Sequence, residues 1–118
     1  MVIQILLVDD DDNFRARIRF YLGKVLQNCD FKEAVNGYEA LQLVNEKRFD
    51  LIISDFDMPI MGGEEFTYKV RKWLHLETPI ILVTDLFFEQ EYSSMGFSSF
   101  VHKSDIHESL LNQVRKFI

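Results

Sequence analysis

Residues 2–10 read Val2-Ile3-Gln4-Ile5-Leu6-Leu7-Val8-Asp9-Asp10, an aliphatic run that stops abruptly on two acids, with Asp11 and Asp12 extending the charge. A run this short and this nearly continuous suits a strand buried on both faces, because a half-exposed strand would alternate apolar with polar residues. The pattern returns twice. Leu51–Ser54 runs into Asp55, and Pro79–Thr84 runs into Asp85. Cys29–Val35 and Ser98–His102 are more mixed and read as the outer strands of the same sheet. Between the strands, Phe14, Ile18, Tyr21, Leu22 and Val25 fall at helical spacing, with Asp11, Asp12 or Asn13 available as N-cap. Tyr38–Val44 follows an Asn-Gly pair. Phe66, Val70, Trp73 and Leu74 mark a third helix entered through Gly62-Gly63, and Ile106, Leu110, Leu111, Val114 and Phe117 mark the last. Strands alternating with helical crossovers imply a parallel sheet covered on both faces, a three-layer α/β fold.

The remaining numbers narrow the class. The chain of 118 residues has room for one domain, 1–118, with no linker or repeat to divide it. Hydrophobic residues make up 47% and charged residues 27%, a balance that excludes disorder. Thirteen basic against nineteen acidic side chains leave −6, which argues against direct nucleic-acid or membrane binding by this domain. The single cysteine, Cys29, excludes an internal disulfide and fits a reducing compartment. No basic targeting segment precedes the first strand, and no run approaches the roughly 18 apolar residues of a membrane span. A cytoplasmic location is expected.

In sheets of this kind ligands bind at the carboxyl ends of the strands. Those ends carry Asp9-Asp10, Ser54-Asp55, Thr84-Asp85 and, after the last strand, Lys103. An aspartate after a strand is usually a turn former or helix cap, a lone lysine usually solvated, and a lone threonine an ordinary strand residue. Several carboxylates, a hydroxyl and an ammonium on four strand ends of one sheet are harder to dismiss.

These residues resemble the landmarks of receiver domains of two-component response regulators, chemotaxis-regulator-like in their extent. Leu6-Leu7-Val8-Asp9-Asp10 is similar to the first motif of that family. Leu51-Ile52-Ile53-Ser54-Asp55-Phe56-Asp57-Met58-Pro59, with Met61 and Gly63, is similar to its phosphoacceptor motif. Thr84 closing a hydrophobic strand, and Lys103 preceded by Phe100, match the other two in order. The resemblance implies a doubly wound, flavodoxin-like, five-stranded parallel sheet of strand order 2-1-3-4-5. It implies a signalling switch, not an enzyme acting on a separate substrate, in which Asp55 takes a phosphoryl group from the phosphohistidine of a histidine kinase or histidine phosphotransfer protein. Three crowded carboxylates call for a hard divalent cation, Mg²⁺ or in its place Mn²⁺. By match to the family Asp10 and Asp55 would ligate it directly, Asp9 partly through water, and Asp57 through its main-chain carbonyl. Lys103 and Thr84 would hold phosphoryl oxygens, and Phe100 would report the change by swinging between exposed and buried positions. The output protein or domain is unassigned; a homodimer through the fourth helix, fifth strand and fifth helix is one pairing the family implies.

Three positions depart from the family. Asp85 stands where a small residue is usual and is expected either to slow anion access or to contact Lys103 at rest. Asp57 lies where the family tunes phosphoryl lifetime. Ser104 replaces the common proline after the lysine, so a cis bond there is not assured. The helix around Phe87–Met95 should be short. The alternative function is a pseudo-receiver, an interaction module that works without phosphorylation. A haloacid-dehalogenase-type hydrolase is disfavoured because Asp55 precedes Thr84 and Lys103, and an FMN carrier because four aspartates after the first strand would repel its phosphate. His75, His102 and His107 lack zinc-ligand spacing. Arg15, Arg17 and Arg19 are expected on solvated surface, and Met58 and Met61 in packing of the loop.

Overall fold

β1 (Ile3–Val8) is flanked on one side by β2 (Cys29–Ala34) and on the other by β3 (Leu51–Ser54), and β4 (Ile80–Thr84) and β5 (Ser99–His102) complete the sheet. The computed structural model describes residues 1–86 and 91–118. All pairings are parallel and the order is 2-1-3-4-5, as the resemblance implied. The strands begin or end within one residue of the expected limits.

Alternate residues of the central strands face opposite layers. Leu6, Val8, Ile52, Ile80 and Leu82 pack against α2 (Gly37–Glu46) and α3 (Gly63–Lys72) through Ala40, Val44, Phe66 and Val70. Ile5, Leu7, Leu51, Ile53, Ile81 and Val83 pack against α1 (Asp12–Val25) and the C-terminal helix through Phe14, Ile18, Leu22, Ile106, Leu110 and Val114. Both faces being covered is why these strands read as continuous apolar runs. Phe66 has no exposed surface, and truncating it to alanine would cost about 3–5 kcal/mol.

Caps decide where the helices start. Among the three expected candidates Asp11 is the cap of α1, its Oδ1 accepting the N–H groups of Asn13 (2.9 Å) and Phe14 (3.1 Å). Asn36 caps α2 by accepting Glu39 N–H at 2.8 Å, and Glu39 reaches back to accept Val35 N–H at 3.2 Å. α3 has Gly62 at its N-cap position and no side-chain cap, but carries Glu64 and Glu65 in its first turn and Lys69, Arg71 and Lys72 in its last, which suits the helix dipole. Arg71 also ties the layer together, donating to the carbonyls of Gly96, Leu76 and Thr78 at 3.1, 2.9 and 2.8 Å.

Three elements differ from the periodicity. Trp73 is not on the core face of the third helix; it closes α3 and is exposed, with the Lys69 ammonium 4.6 Å from its ring centroid. The last helix is not uniform. A 3₁₀ turn (Lys103–Asp105) leads into a π-helical stretch (Ile106–Leu110) and then α4 (Leu111–Arg115). Its buried residues Ile106, Leu110 and Val114 recur every fourth position, a spacing that several helical windings satisfy. Of the helix expected around Phe87–Met95, residues 87–90 lie outside those described, and residues 92–96 are turns ending at Gly96, whose φ is 102°.

Candidate functional site

Val8 of β1 and Ser54 of β3 are register partners, so Asp9 and Asp55 leave the sheet side by side. Chain order reverses between these strands, and a crevice opens at that switch in doubly wound sheets. The ladder overruns both strand ends: Asp55 N–H donates to Val8 O (2.8 Å) and Asp9 N–H to Ala34 O (3.1 Å). Both acids are thereby fixed by backbone before any side-chain contact is made. Asp9 and Asp55 are buried and Asp10 is exposed. Carboxylate oxygens of the three lie within 4.8 Å of one another.

One ammonium neutralises part of this charge. Lys103, the first residue after β5, places Nζ 2.8 Å from Asp9 Oδ2 and 3.2 Å from Asp55 Oδ2, over the face of Phe14 at 4.3 Å from the ring centroid. The second oxygen of each carboxylate takes a backbone donor, Asp11 N–H on Asp9 Oδ1 (2.9 Å) and Phe56 N–H on Asp55 Oδ1 (2.7 Å). Burial pushes the Asp9 carboxyl above its ordinary 3.8; hydrogen bonds from Lys103 and Asp11 N–H oppose this without cancelling it, and the charge of Asp55 adds to the rise. For Lys103 burial alone would lower the ammonium below 10.5, but the two carboxylates outweigh burial and raise it.

The loop after Asp55 is closed tightly on itself. Gly63 N–H donates to Phe56 O at 2.8 Å, and a Cβ on Gly63 would lie 2.1 Å from the Asp55 carbonyl oxygen. Only glycine lets α3 begin this close to the acid, which accounts physically for Gly63 in the motif. Met58 and Met61 are buried in the loop, as expected of packing residues. Asp57 is exposed.

Thr84 ends β4 and is buried, and its Oγ1 accepts Leu86 N–H at 3.4 Å. It lies two residues beyond Leu82, the register partner of Phe100, so Thr84 and Phe100 share a face of the sheet. Phe100 is half-buried and stacked on Tyr92, with centroids 6.2 Å apart and planes at 28°.

Asp85 is exposed and, with Asp11, Phe14, Arg17, Lys103 and Ser104, lines a cavity of about 370 Å³ beside the acidic cluster. The expected resting contact between Asp85 and Lys103 is not formed: the lysine pairs with Asp9 and Asp55, two buried carboxylates that water shields less than an exposed one. Asp85 instead contributes its carbonyl to His102 Nε2 (2.8 Å), while His102 Nδ1 accepts Ser104 N–H (3.2 Å). This clasp joins the ends of β4 and β5 and includes Ser104, the residue standing in place of the proline the resemblance implied. No cis peptide occurs among the described residues.

Arg15 is placed otherwise than its spacing suggests. It is 8% exposed rather than solvated. Nη1 donates to the Asp9 carbonyl at 2.5 Å, Nε to Glu33 Oε1 at 2.8 Å, and Nη2 pairs with Asp12; Glu33 also pairs with Arg19. A signal was present: Arg15 and Leu22 stand at i and i+7 on one helix face, and Arg15 is one turn after Asp12.

Comparison with known proteins agrees with this geometry. The sequence model of the family described as the response regulator receiver domain matches residues 5–115. The transcriptional regulatory protein SrrA of Staphylococcus aureus is 37% identical over 81 residues, 69% of this chain and 32% of that protein, so the match spans about a third of the relative. Among solved structures, the chemotaxis response regulator CheY4 of Vibrio cholerae superposes with a TM-score of 0.87 at 30% identity, covering 100% of both chains. The response regulator TrrA of Thermotoga maritima, solved in complex with Mg²⁺-BeF, superposes with a TM-score of 0.87 at 30% identity, covering 99% of this chain and 100% of that one.

Proposed function

Because this chain belongs to the response regulator receiver domain family, we propose that it is the phosphoacceptor switch of a two-component relay, with Asp55 as the acceptor. The observation that carries this reading is the convergence of Asp9, Asp10, Asp55 and Lys103 on one strand-end rim. The P–N bond of a donor phosphohistidine, on a histidine kinase or a histidine phosphotransfer protein, breaks as an Asp55 oxygen bonds to phosphorus, and the imidazole leaves with the electron pair. Little covalent help is needed for such a transfer; positioning and charge neutralisation suffice.

The donor set fits a hard divalent cation, Mg²⁺ or Mn²⁺: clustered carboxylates, partly open to water through Asp10, with no soft ligand among them. Asp9, Asp10, Asp55 and the carbonyl of Asp57 would hold it. Such an ion supplies charge neutralisation for the carboxylates and the incoming phosphoryl oxygens. The chain's own groups do the rest. Phe56 N–H and the ladder bond to Val8 fix Asp55, and Lys103 is held ready as a point charge for a phosphoryl oxygen. The long hydrogen bond at Thr84 Oγ1 leaves that hydroxyl little to lose on turning toward a phosphoryl oxygen. Phe100, on the same sheet face, would then exchange its stacking on Tyr92 for a more buried position. The domain promotes only its own phosphoryl uptake and loss.

Intact mass after incubation with Mg²⁺ and acetyl phosphate or phosphoramidate tests this reading, with Asp55→Asn alongside. The parent gains one phosphoryl group and the variant none. No gain by the parent, together with no Mg²⁺ binding, would overturn the reading in favour of an interaction module that works without phosphorylation.

A further inference from the structure

Arg15 is a buried cation beside the acidic rim, yet among the described residues it forms no ion pair with any of the three clustered carboxylates. Its partner there is the main-chain carbonyl of Asp9, and the other ends of the guanidinium are tied to Glu33 on β2 and Asp12 on α1. Glu33 is in turn shared with Arg19 one turn along α1. The side chain therefore bridges three elements, the end of β1, the start of α1 and β2, across the peptide that joins Asp9 to Asp10. That peptide sets the directions in which the two carboxylates project. Asp11 N–H on Asp9 Oδ1 fixes one of them locally, and nothing comparable is seen for exposed Asp10 among the described hydrogen bonds.

We propose that Arg15 is a positioning residue for the metal-binding acids: by gripping the Asp9 carbonyl from a Glu33 anchor it holds Asp9 and Asp10 in the arrangement that lets both face one cation with Asp55. The inference rests on the reading of this rim as a divalent-cation site. Guanidinium suits the task because its fork serves several acceptors at once, whereas an ammonium is a single point. The sign of the effect separates this role from two others. A guanidinium acting only through its charge repels a nearby cation, so its loss would tighten Mg²⁺ binding. One acting only in folding would leave Mg²⁺ affinity unmoved and lower the melting temperature.

The test is Mg²⁺ titration calorimetry of the parent, Arg15→Met, Arg15→Lys and Glu33→Gln, well below each melting temperature. Outer partners of metal ligands typically contribute about 10–100-fold in affinity. Arg15→Met is expected to weaken Mg²⁺ by about 10-fold, at the lower end of that range because the contact is to backbone, and Arg15→Lys to recover part of it. Glu33→Gln, which keeps the guanidinium but loosens its anchor, should weaken binding less and serves should Arg15→Met fail to fold. Unchanged or tighter binding in these variants, beside a parent that binds, overturns the positioning role alone. A parent that does not bind Mg²⁺ overturns the cation site and this inference together.

Discussion

Replacing Lys103 by methionine removes the ammonium that sits among the acids while keeping a chain that can still pack on Phe14. The substitution breaks two ion pairs, 2.8 Å to Asp9 and 3.2 Å to Asp55, made by a side chain only 13% exposed. With an effective dielectric of about 20 their gross attraction is about 6 and about 5 kcal/mol, most of it offset by the desolvation that the ion pair already bears. Removing one partner of a buried pair costs about 3–5 kcal/mol, because the opposite charges stay buried and unpaired. This rim opens to water through exposed Asp10, so we expect a loss of about 2–3 kcal/mol without metal. For a chain of this length that is a fall of roughly 6–12 °C in melting temperature, read by differential scanning calorimetry in EDTA. Saturating Mg²⁺ then narrows the gap. At 100 times the parent's Kd the cation adds about 2.7 kcal/mol to the parent, and at that same concentration it adds more to the variant, which binds it more tightly because no lysine competes for the same oxygens. A variant melting within about 1 °C of the parent in EDTA, or gaining no more than the parent from Mg²⁺, would refute the view of Lys103 as the resting counterion.

Three further outcomes follow from the geometry. The Asp9 carboxyl is raised above 3.8 in the fold, so its contribution to stability is complete below 3.8 and is lost as pH rises through the folded value; metal-free urea unfolding at a series of pH values should show this loss, and Asp9→Asn should flatten it. Gly63→Ala places a Cβ 2.1 Å from the Asp55 carbonyl and should destabilise by about 3 kcal/mol or more, whereas Gly23→Ala, within α1 and with nothing inside 4 Å, should stabilise by about 0.5–1 kcal/mol; paired urea midpoints check both. Asp85→Ala removes an exposed negative charge from the cavity shared with Lys103 and should raise the rate of labelling by phosphoramidate, a dependence that added salt weakens; an unchanged rate would remove Asp85 from any gating role.

The sheet was legible because its three central strands, β1, β3 and β4, are covered on both faces, which leaves little but Ile, Leu and Val in them. Asp9, Asp10, Asp55 and Lys103 were legible as a set because strand ends in a parallel sheet share a rim, whatever lies between them in sequence. Arg15 was legible only in part: the helical period puts it on the face of Leu22, but burial of an arginine depends on partners from β2 and from backbone that periodicity does not encode. Of the two roles expected of Asp85, the contact with Lys103 is not formed for a related reason: Asp85 lines the same cavity, but Asp9 and Asp55 offer less-solvated charge. Trp73 and the winding of the last helix show the other limit, since a 3.6-residue period ranks faces but does not say where a helix stops or how tightly it turns.

Asn36-Gly37 is a sequence prone to chemical ageing, because the glycine nitrogen can attack the asparagine side chain and expel ammonia. Here that nitrogen is occupied, its N–H donating to Met61 O at 2.7 Å, and the Asn36 amide oxygen is engaged by Glu39 N–H. Asn36 is itself 7% exposed. The cap that starts α2 thus also shelters the bond from deamidation, and a deamidated molecule in an old preparation is the record of a chain that had opened at this corner. The loop carrying Met61 is the one that follows Asp55, so the rate of that ageing reports on the closure of this loop without any probe being attached.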